Sequence, residues 1–160
     1  MKILITGGNN AKTMKLLKAF PGHFIVLADY GDVPAMFAKN YAFSSLGKLN
    51  KDSIAHILLN FCITESIDSI IPLHHFEVEP IAKSAVLFSE YGIDVLLPHF
   101  DQLPKYIDNA QGAGADLNVF VKGVCVFSTT GIMPESDDVQ DQLNGVFVAN
   151  SSTHLKLFTI

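Results

Sequence analysis

The densest group of chemically capable side chains lies between residues 74 and 79. It consists of His74, His75, Glu77 and Glu79. Imidazole and carboxylate groups can contact a small ligand, transfer protons or hold a divalent cation. Adjacent histidines point apart on an extended chain, and their spacing matches no standard zinc motif. We therefore expect His74, His75 and Glu77 to bind a small molecule and expect no metal site. A capped, solvated loop is the alternative, since the helix dipole favours acids at a helix start.

A glycine turn near the start of the chain is the second candidate. Gly7, Gly8, Asn9 and Asn10 follow a short apolar run and precede an amphipathic segment. Glycine lets the backbone approach a ligand closely, so the turn could present N–H groups to an anion. Asn10 and Thr13 stand where a dinucleotide-binding turn has its later glycines. The sequence leaves open both an anion site and a plain turn between a strand and a helix.

Asp29 is the third candidate, because it closes the second apolar run of the chain. An acid about 20 residues after a glycine turn can hold a ribose hydroxyl, and Asp29 lies near that distance from Gly7. It can equally cap the turn at residues 30–32. The carboxyl ends of parallel strands lie at one edge of a sheet and bind ligands there. We expect Gly7–Asn10, Asp29 and His74–Glu77 to line one ligand site at that edge.

Continuous apolar runs predict the strands, and helical spacing of apolar residues predicts the helices, that would position these residues. Strands are predicted at Ile3–Ile5, Phe24–Ala28, Ala42–Phe43, Ile67–Pro72 and Ile93–Pro98, and helices at residues 13–20, Val33–Lys39, 51–64 and Glu79–Tyr91. Strands that alternate with helices through short connections imply right-handed crossovers and a parallel sheet covered on both faces. The predicted fold is α/β, a Rossmann-like doubly wound parallel sheet over residues 1–108.

The remaining residues, 109–160, predict a small β-rich C-terminal extension. A linker of small residues is predicted at 109–115, and a hairpin that turns at Lys122-Gly123 is predicted within Val119–Phe127. An exposed acidic loop is predicted at Glu135–Gln142. Two further strands are predicted at Gly145–Ala149 and Leu155–Thr159. We therefore expect two domains, with the boundary between residues 108 and 109.

Composition excludes several classes of partner. The net charge is −5, and no basic face interleaved with aromatic residues occurs, so we expect no nucleic-acid partner. No apolar run reaches the roughly 18 residues of a membrane span, so we expect no membrane association. Cys62 and Cys125 are too few for a disulfide framework and fit a reducing compartment. We therefore expect a cytoplasmic protein. Because only 17% of the residues are charged, we also expect a homo-oligomer with a buried contact surface.

Residues 1 to about 108 resemble the N-terminal, pre-ATP-grasp domain of ATP-grasp ligases, especially proteins similar to the large subunit of carbamoyl-phosphate synthase. The matching segments are KILITGG, VLADY, VPAMFAKNYAF, IDSIIPL followed by HHFEVEPIA, and IDVLLPHFD. The most specific of them combines a strand that ends in Ile-Pro with an acidic helix start shortly after it. The resemblance implies that this loop and the first glycine turn face a cleft shared with an ATP-grasp domain.

Members of that family continue into an ATP-binding fold, and residues 109–160 do not resemble it. We therefore expect no cofactor bound by this chain alone and no catalysis without a partner. Mg-ATP is implied only if a partner subunit supplies the ATP-grasp domain. The expected function is to bind a small acidic ligand at the carboxyl edge of the parallel sheet. An NAD(P)-binding Rossmann oxidoreductase relative and a structural self-association domain remain as alternatives.

Overall fold

A computed structural model describes residues 1–107, 116–130, 142–150 and 154–160. Their contacts form two compact units, one of residues 1–95 with Ile160 and one of residues 96–159. The domain boundary between residues 108 and 109 stays a prediction, although residues 96–107 group with the second unit by their contacts. The predicted linker at 109–115 lies outside the described residues, as does the predicted acidic loop apart from Gln142.

The first unit contains a five-stranded parallel sheet. Its strands are β1 (Lys2–Thr6), β2 (Phe24–Asp29), β3 (Tyr41–Ser45), β4 (Ser69–Ile71) and β5 (Asp94–Val95). They lie in the order β3-β2-β1-β4-β5, and all four neighbouring pairs are parallel. The prediction of an α/β fold with a parallel sheet is confirmed.

Burial explains why the two central strands read as continuous apolar runs. Leu4 and Ile5 of β1 and Leu27 of β2 have no solvent exposure, and Ile5 stands opposite Leu27 in the register. A strand buried on both faces has no polar side to alternate with. By contrast, most of the edge strand β3 is only partly buried. The last two strands are shorter than predicted, since Pro72 and Pro98 lie beyond their ends.

Three α-helices accompany this sheet: α1 (Ile54–Thr64), α2 (His75–Lys83) and α3 (Ala85–Glu90). Two tighter 3₁₀ segments cover Thr13–Ala19 and Lys51–Ser53. The predicted helices at 13–20 and 51–64 are therefore found, the first in the 3₁₀ form. In the described residues, no helix is both long and apolar enough to cross a membrane.

The predicted helix at Val33–Lys39 is wrong. Residues 36–38 instead bond to the edge strand: Phe43 N–H donates to the Met36 carbonyl at 3.2 Å, and Ala38 N–H donates to the Tyr41 carbonyl at 2.7 Å. Phe37 is 83% exposed, so this segment has no buried apolar face. A short helix is stabilised mainly by packing an apolar face. Without such a face, this segment forms backbone hydrogen bonds with the edge strand instead.

The predicted helix from Glu79 to Tyr91 begins earlier and is interrupted. It is divided into α2 and α3 at Ser84, whose N–H donates to the carbonyls of Pro80 and Ile81. A capping box formed by His74 and Glu77 starts α2 at His75, so Pro80 lies inside the helix and not in its first turn. These reciprocal capping interactions define where the helix begins, which the apolar pattern of the sequence does not indicate.

The second unit contains a four-stranded antiparallel sheet and a short helix, α4 (Leu103–Tyr106). The strands β6 (Leu117–Val121), β7 (Val124–Ser128), β8 (Gly145–Asn150) and β9 (His154–Leu157) lie in the order β7-β6-β8-β9. The hairpin turn at Lys122-Gly123 is confirmed, and both residues have the positive φ angles of a type I′ turn, 50° and 81°. Phe147 packs edge-on against Tyr106 and Phe120 in its core.

Candidate functional site

The order of the parallel sheet creates a switch point between β1 and β4. From β1 the chain proceeds to β2 and β3 on one side, and β4 then pairs with the other side of β1. Parallel sheets bind ligands at the carboxyl ends of strands that diverge in this way. Thr6 ends β1, Asp29 ends β2, and His74 follows β4. The expected convergence of strand ends is therefore present in the first unit.

Asp29 and His74 form a close pair at this edge. Nε2 of His74 lies 2.8 Å from Oδ1 of Asp29, and both side chains are largely buried. The same Oδ1 accepts the N–H of Tyr30 at 2.9 Å, and Oδ2 accepts the N–H of Asn9 at 3.1 Å. Asp29 thus caps the turn that follows it and fixes both the imidazole and the glycine turn.

Glu77 is the most deeply buried acid of the site, with no solvent exposure. Its Oε1 accepts the Thr6 hydroxyl at 2.5 Å and the His74 N–H at 3.1 Å. Its Oε2 accepts the Tyr30 hydroxyl at 2.7 Å. The Thr6 oxygen in turn accepts the N–H of Leu73 at 2.8 Å. One carboxyl group therefore ties together the ends of β1 and β2 and the start of α2.

The buried environment of Glu77 disfavours its charged form relative to water. Burial raises the pKa of the Glu77 carboxyl above its ordinary value of 4.5, and the hydrogen bonds from Thr6 and Tyr30 and the nearby imidazole of His74 oppose this only in part. Burial, together with the adjacent Glu77 carboxylate, also raises the pKa of the Tyr30 hydroxyl. Tyr30 therefore keeps its proton and serves as a hydrogen-bond donor.

The raised pKa of Glu77 predicts a specific pH dependence of stability. Above pH 4.5 the unfolded chain releases the proton that the folded protein retains, so the free energy of unfolding falls as the pH rises toward the folded-state pKa. We expect this fall, at most about 1.4 kcal/mol per pH unit, in the wild type and not in Glu77→Gln. Urea unfolding of both proteins between about pH 4.5 and about pH 7.5 measures it. A stability difference that stays constant over this range contradicts the assignment.

An aromatic cluster with an adjoining cation lies beside the two acids. The His74 ring stacks on Phe76 at a centroid distance of 4.9 Å, and the Tyr30 ring tilts against both. The Lys51 ammonium lies 5.2 Å from the centroid of the Phe76 ring. Lys51 is exposed, and for this ammonium no carboxylate partner is found among the described residues. The site thus combines two hydrogen-bonded acids with one accessible positive charge.

The glycine turn uses its own N–H groups within the chain. Gly8 donates to the Ala28 carbonyl at 3.0 Å, Asn9 donates to Asp29, and Asn10 donates to the Gly7 carbonyl at 3.0 Å. A Cβ atom at Gly8 would lie 2.9 Å from the backbone carbon of Leu27, so glycine permits close packing of the turn on β2. These contacts are those of a plain turn after a strand, not of an open anion cradle.

Ile160 lies against this turn. Its N–H donates to the Leu73 carbonyl at 2.9 Å, and its carbonyl accepts the His75 N–H at 3.4 Å. Gly7 has a φ of +73°, and a Cβ atom there would overlap Cδ1 of Ile160. The Ile160 side chain therefore fills the space beside Gly7 at the carboxyl end of β1.

The structure joins some of the expected site residues and leaves others apart. Asn9, Asp29, His74 and Glu77 share one hydrogen-bond network, and Gly7 and Gly8 adjoin it. Asn10 makes a local turn instead, its side chain accepting the Lys12 N–H. The side chain of His75 is exposed, and only its N–H contacts Ile160.

Sequence reasoning missed Thr6, Tyr30, Phe76 and Lys51. Thr6 and Tyr30 had a usable signal, since each stands at the carboxyl end of an apolar run, as Asp29 does. Lys51 had none, because it precedes α1 and approaches the site only through the packing of the fold.

Comparisons with known proteins add no assignment. No protein-family model matches the sequence. No curated protein matches it either. Within the part of the chain that the structure describes, no group of three or more histidine, cysteine or acidic side chains is arranged to hold a metal ion.

Proposed function

We propose that the first unit binds a small acidic ligand at the carboxyl edge of its parallel sheet and does not catalyse a reaction alone. The observation that carries this proposal is the network of Asp29, His74 and Glu77 at the switch point, with the Lys51 ammonium beside it. A carboxylate near Lys51 would gain a charge-assisted contact, which is stronger than a neutral hydrogen bond.

The network supports binding because its members are held in place before a ligand arrives. Asp29 fixes the ring of His74, and Glu77 fixes both the His74 backbone and the Tyr30 hydroxyl. Side chains locked by their neighbours lose little freedom when they meet a ligand. The role that follows is positioning of the ligand, not bond-making.

As part of this proposal we assign the sheet to the pre-ATP-grasp type of Rossmann-like, doubly wound fold. Its five strands follow the order of the first five strands in doubly wound nucleotide-binding sheets. The helix α2 starts shortly after Pro72 with the acid Glu77 in its first turn, as the resemblance implies. The complete ligase would then need Mg-ATP and an ATP-grasp domain from a partner subunit, and this chain would hold the acid to be activated.

The hydrogen bonds of the glycine turn and of Asp29 argue against the alternative function, NAD(P) binding. A pyrophosphate needs free N–H groups at the glycine turn, and the N–H groups of Gly8, Asn9 and Asn10 are bonded within the chain. A ribose needs free acceptor positions on Asp29, whose carboxylate already accepts three donors. We therefore rank the acid-binding function above the oxidoreductase.

Calorimetric titration with monocarboxylic, dicarboxylic and amino acids tests the proposed function. We expect at least one acid to bind the wild type, and Lys51→Met to weaken its affinity about tenfold, the effect of losing one charge-assisted contact. Lys18→Met is the matched control, because Lys18 is an exposed lysine in the 3₁₀ segment Thr13–Ala19. The proposal fails if no acid binds, or if Lys51→Met and Lys18→Met bind it equally well.

A further inference from the structure

Ile160 contacts the switch point through both its backbone and its side chain. Its N–H and its carbonyl bond to Leu73 and His75, which flank His74. Donation to one residue and acceptance from the residue two positions later is the pairing of parallel strands, with His74 opposite Ile160. The side chain extends toward Gly7, where no Cβ atom could fit beside it. Three separate contacts therefore define a seat for one residue.

These contacts correspond to the groups of a free α-amino acid. The Leu73 carbonyl can accept from an ammonium as it does from the Ile160 N–H, and the His75 N–H can donate to a carboxylate as it does to the Ile160 carbonyl. The open side of Gly7 leaves room for a side chain, and a Cβ atom there would also contact Cβ of Leu73 at 3.6 Å. The surface that receives the side chain is thus apolar.

We propose that the seat formed by Gly7, Leu73 and His75 binds a branched aliphatic α-amino acid, and that Ile160 occupies this seat in the free protein. The inference rests on the proposed function and names the class of its acidic ligand. Ile160 is only partly buried and belongs to no strand of the sheet, so its side chain can leave without breaking a strand pair. A ligand that must displace Ile160 binds with an affinity reduced by the fraction of molecules in which the seat is empty.

Titration of L-isoleucine into the wild type and into Ile160→Gly tests this proposal. We expect at least about tenfold tighter binding to Ile160→Gly, because residue 160 then lacks the side-chain contact with Gly7 and leaves the seat more often. Glycine, which lacks the side chain, should bind this variant at least about tenfold more weakly than L-isoleucine does. Thr159→Gly is the matched control, since it adds the same backbone freedom but keeps the Ile160 side chain, and it should bind L-isoleucine as the wild type does.

A second measurement requires no substitution. Excess L-isoleucine should shift the δ1-methyl NMR resonance of Ile160 in the wild type, because this methyl leaves Gly7. Equal binding of L-isoleucine to Ile160→Gly and the wild type overturns the proposal, as does an unmoved methyl resonance at saturation. If another acid binds in a Lys51-dependent manner but L-isoleucine does not bind Ile160→Gly, only this inference fails. If no acid binds any of these proteins, the proposed function fails with it.

Discussion

Replacement of Glu77 by alanine is expected to lower the free energy of unfolding by about 3–5 kcal/mol. The Thr6 hydroxyl would lose its acceptor at a buried position, and the Tyr30 hydroxyl and the His74 N–H would lose theirs at partly buried positions. Urea unfolding followed by circular dichroism measures the loss. The effect is large because one carboxyl group satisfies three donors on three segments of the chain.

Glu79→Ala is the matched control for this prediction. Glu79 lies two positions further along α2 and pairs with Lys83 at 3.1 Å on the surface. Exposed pairs of this kind contribute about 0–1 kcal/mol. Comparable losses in Glu77→Ala and Glu79→Ala would show that the buried network does not stabilise the edge of the sheet.

Asp29→Ala is expected to cost about 2–3 kcal/mol. The N–H groups of Asn9 and Tyr30 and the ring nitrogen of His74 would lose their acceptor, and the partial exposure of His74 keeps the cost below that at Glu77. Asp32→Ala is the control, because Asp32 is an exposed acid in the same turn region. Urea unfolding gives both values, and equal stability of the two variants would contradict the capping role of Asp29.

The parallel sheet was predictable from sequence because its strands are buried on both faces. Leu4, Ile5 and Leu27 stand in uninterrupted apolar runs, and such runs between helical patterns leave few alternatives to a parallel sheet. The segment at 33–39 was not predictable in this way. Its alanines and its short apolar stretch suggest a helix, but its hydrogen bonds go to the neighbouring edge strand, and local propensity does not determine that choice.

The sequence predicts where the candidate site lies but not which hydrogen bonds form within it. Strand ends mark the edge of the sheet, so the sequence alone places Asp29 and His74 near one another. Which donor meets which oxygen depends on the packing of α2 against the ends of β1 and β2. The contact of Ile160 with Gly7 joins residues far apart in the chain, and no local pattern signals it.

The most direct test of acid binding at the switch point is a two-dimensional ¹H–¹⁵N NMR titration of the wild type with the acid that binds it most tightly. We predict that the amide resonances of Asn9, Tyr30, His75 and Phe76 shift with one common dissociation constant, together with that of Lys51. Resonances of the second unit, such as those of Val119 and Phe120, should stay in place. Unmoved resonances at the switch point, or shifts confined to another part of the chain, would contradict the account.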